Sequence, residues 1–378
     1  MKILIVRNFP SYMDVEKNTY NIQELGLAKA LTKRGHTCSL LFWTDKNEED
    51  KTVKTEGGEI TVFYRRGITF LKNTIFTCLK NMVDEYDVIQ PCEYNQIQSW
   101  MCAGKYPDKT VIYHGPYYSP FNKGYNTLCL PFDLFLLKRY IKLGTKFVVK
   151  SNKAKDFLSN KGISEKKITV AGVGLDSESL GTDNIADFDL INKVKSDTSE
   201  IKLLYIGRIE ERRNTLFLLD FLYETIKTKK TTLYMIGSGD ESYVSKVRDK
   251  IQNLDLDENV IWINKIEQKY MKKIYTCFDY FILPTRYEIF GMVLLEAMYF
   301  GNVVFTTDNG GSEMLIQSGT NGFVLNSWDP KEWCDTLISI DSDLERKNSI
   351  SISAKETIQS KYLWDFLAEV FENCYKSI

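Results

Sequence analysis

The sequence predicts an α/β protein with two doubly wound, Rossmann-like domains. Short β-rich runs alternate with helical patterns along the whole chain, which is typical of βαβ units and parallel sheets. The length of 378 residues exceeds one ordinary domain. Hydrophobic residues make up 43% and charged residues 26%, the mixture of a globular protein with a large core. Together these observations exclude disordered and collagen-like chains.

The predicted strands fall into two groups. The first comprises residues 2–6, 37–42, 59–64, 87–90, 110–113, 146–149 and 167–171; the second comprises 203–206, 232–236, 260–263, 280–283 and 303–306. Between them, the polar and acidic segment 178–200 lacks a sustained apolar face, so we predict a linker there. The two domains are then expected to span residues 1–177 and 201–360.

The charges of the chain are unevenly distributed. The 49 Lys plus Arg residues nearly balance the 50 Asp plus Glu residues, which argues against a nucleic-acid binder. Residues 1–180 nevertheless contain 26 basic and 19 acidic residues, whereas residues 181–378 contain 23 and 31. The first domain is therefore basic and the second is acidic.

Cysteine and histidine positions argue against a metal site. The eight cysteines form no CxxC pair and do not cluster with His36 or His114, the two histidines. A disulfide framework is not expected in a chain of this size. The first apolar run ends at Arg7, too early for a signal peptide, and no uninterrupted apolar stretch approaches the length of a membrane span. We therefore expect a cytoplasmic protein.

The strongest local motif directly follows the predicted strand 280–283. It contains Glu288, Gly291 and, eight residues after the first glutamate, Glu296. A glycine at the start of the predicted helix lets a ligand approach the first N–H groups, which form an anion site with the helix dipole. Glu296 is suited to ribose hydroxyls and Glu288 to those of a sugar. From spacing alone, both glutamates fit a capping or solvating role equally well.

A second motif follows the predicted strand 203–206 and contains Gly207, Arg208, Arg212 and Arg213. Guanidinium groups on a strand-to-helix loop suit a diphosphate, because they bind phosphate oxygens in pairs and remain charged. Such groups also stabilise a departing nucleoside diphosphate. A solvated basic patch paired with neighbouring glutamates is the alternative. The Gly-x-Gly that begins at Gly237, after the next strand, is by itself a weak signal typical of turns.

In this order the motifs resemble those of family 4 retaining glycosyltransferases of the GT-B fold. The specific part is the pair of glutamates eight residues apart; the first half adds Arg34-Gly35-His36, Tyr113-His114-Gly115 and Val173-Gly174-Leu175-Asp176. The resemblance covers nearly the whole chain. It implies two domains that face each other across a cleft, with a terminal helix at 361–378 that packs back on the first domain.

The resemblance also implies site residues. Arg208 and Arg213 bind the diphosphate and, with Glu288 and His114, form the catalytic set, with His114 near the transferred sugar. A buried structural role for His114 stays open. The donor-binding residues that the resemblance implies are Gly207, Arg208, Arg213, Gly237, Asn264, Ile266, Glu288, Phe290, Gly291, Met292 and Glu296.

Two departures from the family pattern concern glycines. Asn18-Thr19 stands where many relatives have Gly-Gly, and Asn214 replaces the glycine that usually follows the basic residue. Close approach of a ligand to the backbone near Asn18 is therefore in doubt. Neither change removes a charged group assigned to the donor, so an active enzyme is still expected.

The implied activity is transfer of a sugar, with retention, from a UDP-sugar or GDP-sugar to an acceptor hydroxyl, without a cofactor or metal. The expected acceptor is a lipid-linked glycan of surface polysaccharide synthesis. One alternative is another GT-B enzyme, either an inverting transferase or a nucleotide-sugar epimerase. A second alternative is a non-catalytic GT-B partner protein.

Two stretches of the basic domain, residues 65–80 and 128–142, combine basic and apolar residues at helical spacing. Such helices can rest on an anionic membrane surface and present a lipid-linked acceptor. We therefore expect peripheral contact with the inner face of the plasma membrane. The alternative is that these apolar faces are ordinary core.

Overall fold

The computed structural model describes residues 1–16, 21–181 and 188–378, so Asn18 and Thr19 lie outside the described residues. The chain forms two compact units. The first unit comprises Met1–Asp176 and Tyr362–Ile378, and the second comprises Ser177–Lys361.

The first unit alternates strands and helices from its first residues. Its strands are β1 (Lys2–Val6), β2 (Thr37–Trp43), β3 (Glu49–Thr55), β4 (Gly58–Arg65), β5 (Ile68–Phe70), β6 (Asn73–Ile75), β7 (Val88–Pro91), β8 (Val111–His114), β9 (Lys146–Val149) and β10 (Ile168–Val170). Its helices are α1 (Gln23–Lys33), α2 (Leu79–Met82), α3 (Ile97–Lys105), α4 (Lys123–Phe135), α5 (Leu137–Leu143) and α6 (Asn152–Ser159).

The central strands of this unit are parallel. One sheet has the order β3-β4-β2-β1-β7 and the other β10-β9-β8. Two parallel bridges, Ile89 with Thr110 and Cys92 with Tyr113, connect β7 to the β8 side. Among the described strands of these two sheets, only β3, on the edge, runs antiparallel to its neighbour. The carboxyl ends of the parallel strands therefore lie at one edge, where ligands bind in doubly wound sheets.

The second unit has the same construction. Its elements in chain order are α7 (Asp189–Ser196), β11 (Ile201–Ile206), α8 (Thr215–Ile226), β12 (Thr231–Ile236), α9 (Glu241–Asn253), β13 (Val260–Ile263), α10 (Met271–Thr276), β14 (Tyr280–Leu283), α11 (Met292–Phe300), β15 (Val303–Thr306), α12 (Ser312–Leu315), β16 (Phe323–Val324), α13 (Pro330–Asp341) and α14 (Leu344–Lys361). The strands are parallel in the order β13-β12-β11-β14-β15-β16. The strand order reverses between β11 and β14, which is the switch point where doubly wound sheets bind ligands.

The last helix, α15 (Trp364–Lys376), belongs to the first unit. Trp364 packs on two glycines: a Cβ at Gly26 would lie 2.3 Å, and one at Gly174 2.4 Å, from its indole ring. Arg34 adds a 2.7 Å ion pair with Glu372. The "RGH" end of α1 and the "GLD" turn that the sequence singles out are therefore where this helix docks.

The predicted α/β class with parallel sheets is confirmed, and three local features differ from expectation. The segment 178–200 includes α7, which buries Leu190, Ile191 and Val194 within the second unit. The edge strand β3 was not predicted, because its exposed sequence EDKTVKT has no apolar face. The prediction of a helix in 65–80 is wrong: β5 and β6 form a hairpin there, followed by the short α2.

The segment 65–80 does not form the expected helix because the chain reverses direction at Leu71 and Lys72. Both residues adopt left-handed backbone conformations, with φ of 45° and 63°. By contrast, 128–142 is helical, within α4 and α5. Across the described parts of both units, no helix combines the length and apolarity needed to cross a bilayer.

Candidate functional site in the second unit

Two loops meet at the switch point of the second sheet, one after β11 and one after β14. The N–H of Arg286 donates to the carbonyl oxygen of Arg212 at 2.7 Å. The hydroxyl of Thr285 donates to the same oxygen at 3.1 Å, and Arg212 donates to the carbonyl of Tyr287 at 3.1 Å. The arginine motif and the glutamate motif are thus hydrogen-bonded to each other.

The two predicted charged residues Arg213 and Glu288 form a direct ion pair within this junction. Glu288 is buried, and the Arg213 side chain is 12% exposed. Arg212 lies 3.6 Å from the same carboxylate and 2.7 Å from Glu210. Because a buried charge needs a partner, this pair constrains both loops at once.

Arg208 is the accessible cation of the motif. Its side chain is 63% exposed, and its nearest acidic group, Glu210, lies 3.7 Å away. An exposed guanidinium can turn toward an incoming phosphate without breaking a buried contact. Arg208 is therefore the predicted arginine best placed to receive an anion, whereas Arg213 is held by Glu288.

Asn214 explains one departure from the family pattern. It precedes α8 and has the left-handed conformation φ 53°, ψ 43°. Glycine adopts this conformation without strain, and asparagine is one of the few other residues that visit it. The substitution therefore keeps the backbone turn at the end of the arginine loop.

The glycines of the site allow close approach of neighbouring loops. A Cβ at Gly237 would lie 1.8 Å from the carbonyl oxygen of Gly207, and one at Gly239 would lie 1.7 Å from that of Ile209. On the other side, a Cβ at Gly311 would lie 1.5 Å from the carbonyl oxygen of Phe290. Gly237 and Gly239 therefore fix the arginine loop through packing, a reason that the weak Gly-x-Gly signal did not reveal.

Helix α11 begins where the loop after β14 ends. Gly291 has φ 81° and caps a helix that begins at Met292. The first N–H groups of a helix have no partner within it and carry partial positive charge. Met292 is half-buried while Phe290 is buried in the core, so the backbone of residues 291 and 292, rather than the Phe290 ring, is suited to an anion.

Glu296 lies one turn into α11 and is buried. Its carboxylate accepts a 2.8 Å hydrogen bond from the hydroxyl of Tyr275 on α10. Burial raises the pKa of Glu296 from its usual value near 4.5 to about 7. Asn264 and Ile266, which the resemblance predicts to bind the donor, lie in the loop after β13, where Asn264 is exposed and Ile266 is half-buried.

His114, the predicted catalytic residue of the first unit, is fully buried at the end of β8. Its Nδ1 lies 2.6 Å from Glu93, whose carboxylate also accepts from the N–H of Gly115 at 3.1 Å. The ring packs between Tyr94 and Phe157. Its Nε2 has no hydrogen-bond partner among the described residues.

Glu93 stands in an unusual environment. It follows β7, and its backbone is left-handed with φ 61°. Burial pushes the pKa of its carboxyl upward, but the His114 ring and the Lys150 ammonium outweigh burial and hold it below its usual value. A strained, buried carboxylate beside a histidine is typical of a functional site.

Three contributors to the site, Arg212, Tyr275 and Glu93, were not among the predicted site residues. Arg212 lay within the arginine motif, but nothing distinguished it from Arg213 before the two loops were seen together. Tyr275 and Glu93 are distant in sequence from their partners Glu296 and His114. The one available signal was that Glu93 directly follows a strand predicted to end at the ligand edge.

The second unit is similar in sequence to a known protein family. Residues 187–357 match the family model "Glycosyl transferases group 1". An uncharacterized glycosyltransferase of Methanocaldococcus jannaschii is 27% identical over 177 residues, which cover 47% of this chain and 45% of that protein. Spore coat protein SA of Bacillus subtilis is 24% identical over 182 residues, 46% of this chain and 48% of that protein. The chain thus matches about half the length of these curated relatives.

Solved structures resemble the chain over its whole length. Anabaena HepE, solved in complex with UDP, has a TM-score of 0.73 at 16% identity, with 100% of both chains covered. Sucrose-phosphate synthase of Thermosynechococcus elongatus has a TM-score of 0.73 at 15% identity, covering 100% of this chain and 99% of that one. At such identities the likeness concerns the fold, and the predicted GT-B fold is confirmed.

The raised pKa of Glu296 predicts a pH-dependent cost to stability. An unfolded glutamate ionises near pH 4.5, whereas the folded one ionises near 7. Rising pH between these values therefore favours unfolding, and the cost stays constant above them. Glu296→Gln keeps an acceptor for Tyr275 without the charge, so we expect its Tm to exceed that of the wild type by roughly 5 °C at pH 8.

The difference should shrink when melting is measured at pH 5, where the folded wild type is protonated at this position. Glu345→Gln, at an exposed glutamate of α14, is the matched control and should melt like the wild type at both pH values. A Glu296→Gln protein that is less stable than the wild type at pH 8 would contradict a strained, buried carboxyl.

Proposed function

We propose that the protein is a retaining glycosyltransferase that uses a UDP-sugar as donor, because residues 187–357 match the family model "Glycosyl transferases group 1". The nucleotide is assigned as uridine because the Anabaena relative of the same fold was solved with UDP. The acceptor is a hydroxyl group of a lipid-linked glycan in surface polysaccharide synthesis.

The observation that carries the proposal is the junction of the two loops at the switch point. Exposed Arg208, the start of α11 and buried Glu296 all lie at the carboxyl edge of one parallel sheet. In the proposed complex, Arg208 and the first N–H groups of α11 bind the diphosphate. Glu296 accepts hydrogen bonds from the ribose, and Glu288 contacts the donor sugar.

The ion pair with Arg213 limits the catalytic roles that Glu288 can take. A double displacement needs a carboxylate nucleophile close to the anomeric carbon. Glu288 is tied to Arg213, and Glu296 to Tyr275, so neither is presented as a free nucleophile. This supports attack by the acceptor on the same face that the diphosphate leaves.

In that step the bond between the anomeric carbon and the diphosphate oxygen breaks while the bond to the acceptor oxygen forms. The acceptor proton passes to an oxygen of the leaving diphosphate. The developing negative charge is stabilised by Arg208 and the α11 N–H groups, so the reaction needs no metal. Arg213 positions the carboxylate of Glu288, with which it is paired, and is not assigned to the leaving diphosphate.

In the first unit, we assign the His114–Glu93 pair to a sugar hydroxyl. Nδ1 of His114 is engaged by Glu93, which leaves Nε2 to bond with a ligand group. Because a buried nitrogen without a partner costs free energy, a hydroxyl at that point would be favoured. Glu93 is then a positioning residue that fixes the imidazole orientation.

The first functional prediction concerns Arg208. Arg208→Ala should lower turnover by roughly 100-fold or more, because one charge-stabilising group facing the diphosphate is lost. Its exposed side chain makes misfolding of the variant unexpected, unlike removal of Arg213, which would take away the direct ion-pair partner of the buried Glu288 carboxylate. The measurement is UDP release together with NMR assignment of the product anomer.

Arg248→Ala, at another exposed arginine of the same unit, is the matched control and should retain wild-type turnover. A near-normal rate of turnover in Arg208→Ala would contradict the assignment of Arg208 to the diphosphate. An inverted product anomer would identify an inverting transferase, interconversion of the nucleotide sugar would identify an epimerase, and absence of all turnover would favour a non-catalytic partner protein.

The proposal that the acceptor is lipid-linked and lies at a membrane rests on the surface of α4 and α5. The inner face of these helices is core and contains Phe132 and Tyr140. The outer face is also apolar: Leu134 is 70% and Phe135 77% exposed. Residues 123–146 contain five basic residues and one acidic residue. Apolar side chains among lysines are typical of helices that lie on anionic membranes.

A half-buried ion pair holds this surface in place. Lys161 pairs with Asp133 of α4, and Tyr118 donates to the same carboxylate at 3.1 Å. The Lys161 ammonium lies 4.5 Å from the Tyr118 ring centre and 4.6 Å from that of Phe157. The exposed apolar residues of α4 therefore stand on a rigid base, which suits a membrane-facing surface.

The second functional prediction is binding to anionic vesicles. The wild type should sediment with phosphatidylglycerol–phosphatidylcholine vesicles at low salt and be released at high salt, because screening weakens the lysine contribution. The double variant Leu134→Asp/Phe135→Asp should remain in the supernatant. Leu344→Asp/Ile352→Asp alters exposed apolar residues of the second unit and should sediment like the wild type. Full recovery of wild-type protein in the supernatant would contradict the membrane setting.

A further inference from the structure

A second apolar feature of the first unit is a groove between the β5–β6 hairpin, α2 and α3. It has a volume of about 190 Å³. Its walls include Phe76, Leu79, Met101 and Cys102, and its lining also includes Lys80 and Lys105. Both lysines are exposed. The groove therefore combines an apolar floor with positive charge at its rim.

The hairpin beside the groove is firmly anchored. The side chain of Asn73 accepts from the N–H of Ile97 at 2.8 Å, and that of Gln98 accepts from the N–H of Phe76 at 2.8 Å. Both contacts join the hairpin segment to the start of α3. The groove is thus a fixed part of the fold.

The tip of the hairpin has an unusual sequence. A two-residue turn with both residues left-handed strongly favours Asn-Gly, whereas this turn has Leu71 and Lys72. A leucine in this conformation is strained, and here it is exposed next to Phe70, which is 62% exposed. Neither the backbone nor the core accounts for these side chains. Exposed apolar side chains beside a lysine suit a partner that is both apolar and anionic.

We infer that this groove binds the hydrocarbon chain of an anionic lipid, with the lipid phosphate held by Lys80 and Lys105. The inference rests on the proposed transfer to a lipid-linked acceptor, and it adds a site for the lipid part of that acceptor. Ile75 lines the groove and pairs with exposed Ile68 across the hairpin. The hairpin therefore reaches into the bilayer surface and leads the chain to the groove.

Charge complementarity selects this occupant. Within the described residues, Lys80 and Lys105 form no ion pair with an acidic side chain, so both ammonium groups are available to a phosphate. An uncharged apolar peptide would use the groove but not the lysines. Inorganic phosphate would use the lysines but not the groove.

The test is calorimetric titration of the full chain with octyl, decyl and dodecyl phosphate below their critical micelle concentrations. Affinity should rise about fourfold for each added methylene group until the groove is filled. Inorganic phosphate and dodecyltrimethylammonium should bind at least 100-fold more weakly than dodecyl phosphate. Octyl phosphate that binds no more tightly than inorganic phosphate would overturn the inference.

Two variants locate the binding. Met101→Trp fills the groove and should abolish dodecyl phosphate binding. Lys80→Glu/Lys105→Glu changes only exposed charge and should weaken it at least tenfold. Lys246→Glu/Lys331→Glu, at exposed lysines of the second unit, is the control and should bind like the wild type. Unchanged affinity in both groove variants would overturn the inference, as would a dimer that Met101→Trp dissociates.

The outcome is separable from that of the proposed function. If the protein releases UDP from a nucleotide sugar but binds no alkyl phosphate, the proposed enzymatic function stands and the assignment of the groove is wrong. If the protein binds dodecyl phosphate in the groove but turns over no nucleotide sugar, the assignment of the groove stands and the proposed enzymatic function is wrong.

Discussion

The contact on which the second unit's site depends is the buried ion pair between Arg213 and Glu288. It joins the loop after β11 to the loop after β14, at the one place where the strand order of the sheet reverses. A buried ion pair contributes little net stability but is costly to break. Its effect is therefore geometric: it joins the two loops that carry Arg208 and lead into α11. The glycines that bring neighbouring loops within contact distance, Gly237 and Gly311, tighten the same junction.

The fold was largely predictable because its parallel strands are short apolar runs that end at marked loops. The antiparallel edge strand β3 and the β5–β6 hairpin were not, since their exposed residues have no periodic apolar face and the hairpin turn has neither Asn nor Gly. In the site, the family resemblance implied Arg213 and Glu288, but the sequence did not indicate that they neutralise each other. That is a fact of tertiary structure, as are the pairing of Glu93 with His114 and of Tyr275 with Glu296.

The uneven charge of the sequence acquires a structural meaning in the first unit. Two of its surfaces that expose large apolar side chains also carry basic residues: the outer face of α4 and α5, and the hairpin beside the groove. Exposed apolar groups normally cost solubility, and lysines among them favour an anionic, apolar partner. The proposed division of labour follows from this arrangement, with the nucleotide sugar assigned to the second unit and a lipid-linked acceptor to the first.

The most direct test of the account is the binding of nucleoside diphosphates to the purified chain. Isothermal titration with UDP, GDP and ADP in the presence of EDTA separates donor recognition from the acceptor and from any metal. The account predicts saturable binding of UDP at one site per chain, with Arg208→Ala weakened at least tenfold and GDP and ADP weaker than UDP. Absence of binding by every nucleoside diphosphate, or UDP binding that Arg208→Ala leaves unchanged, would contradict it.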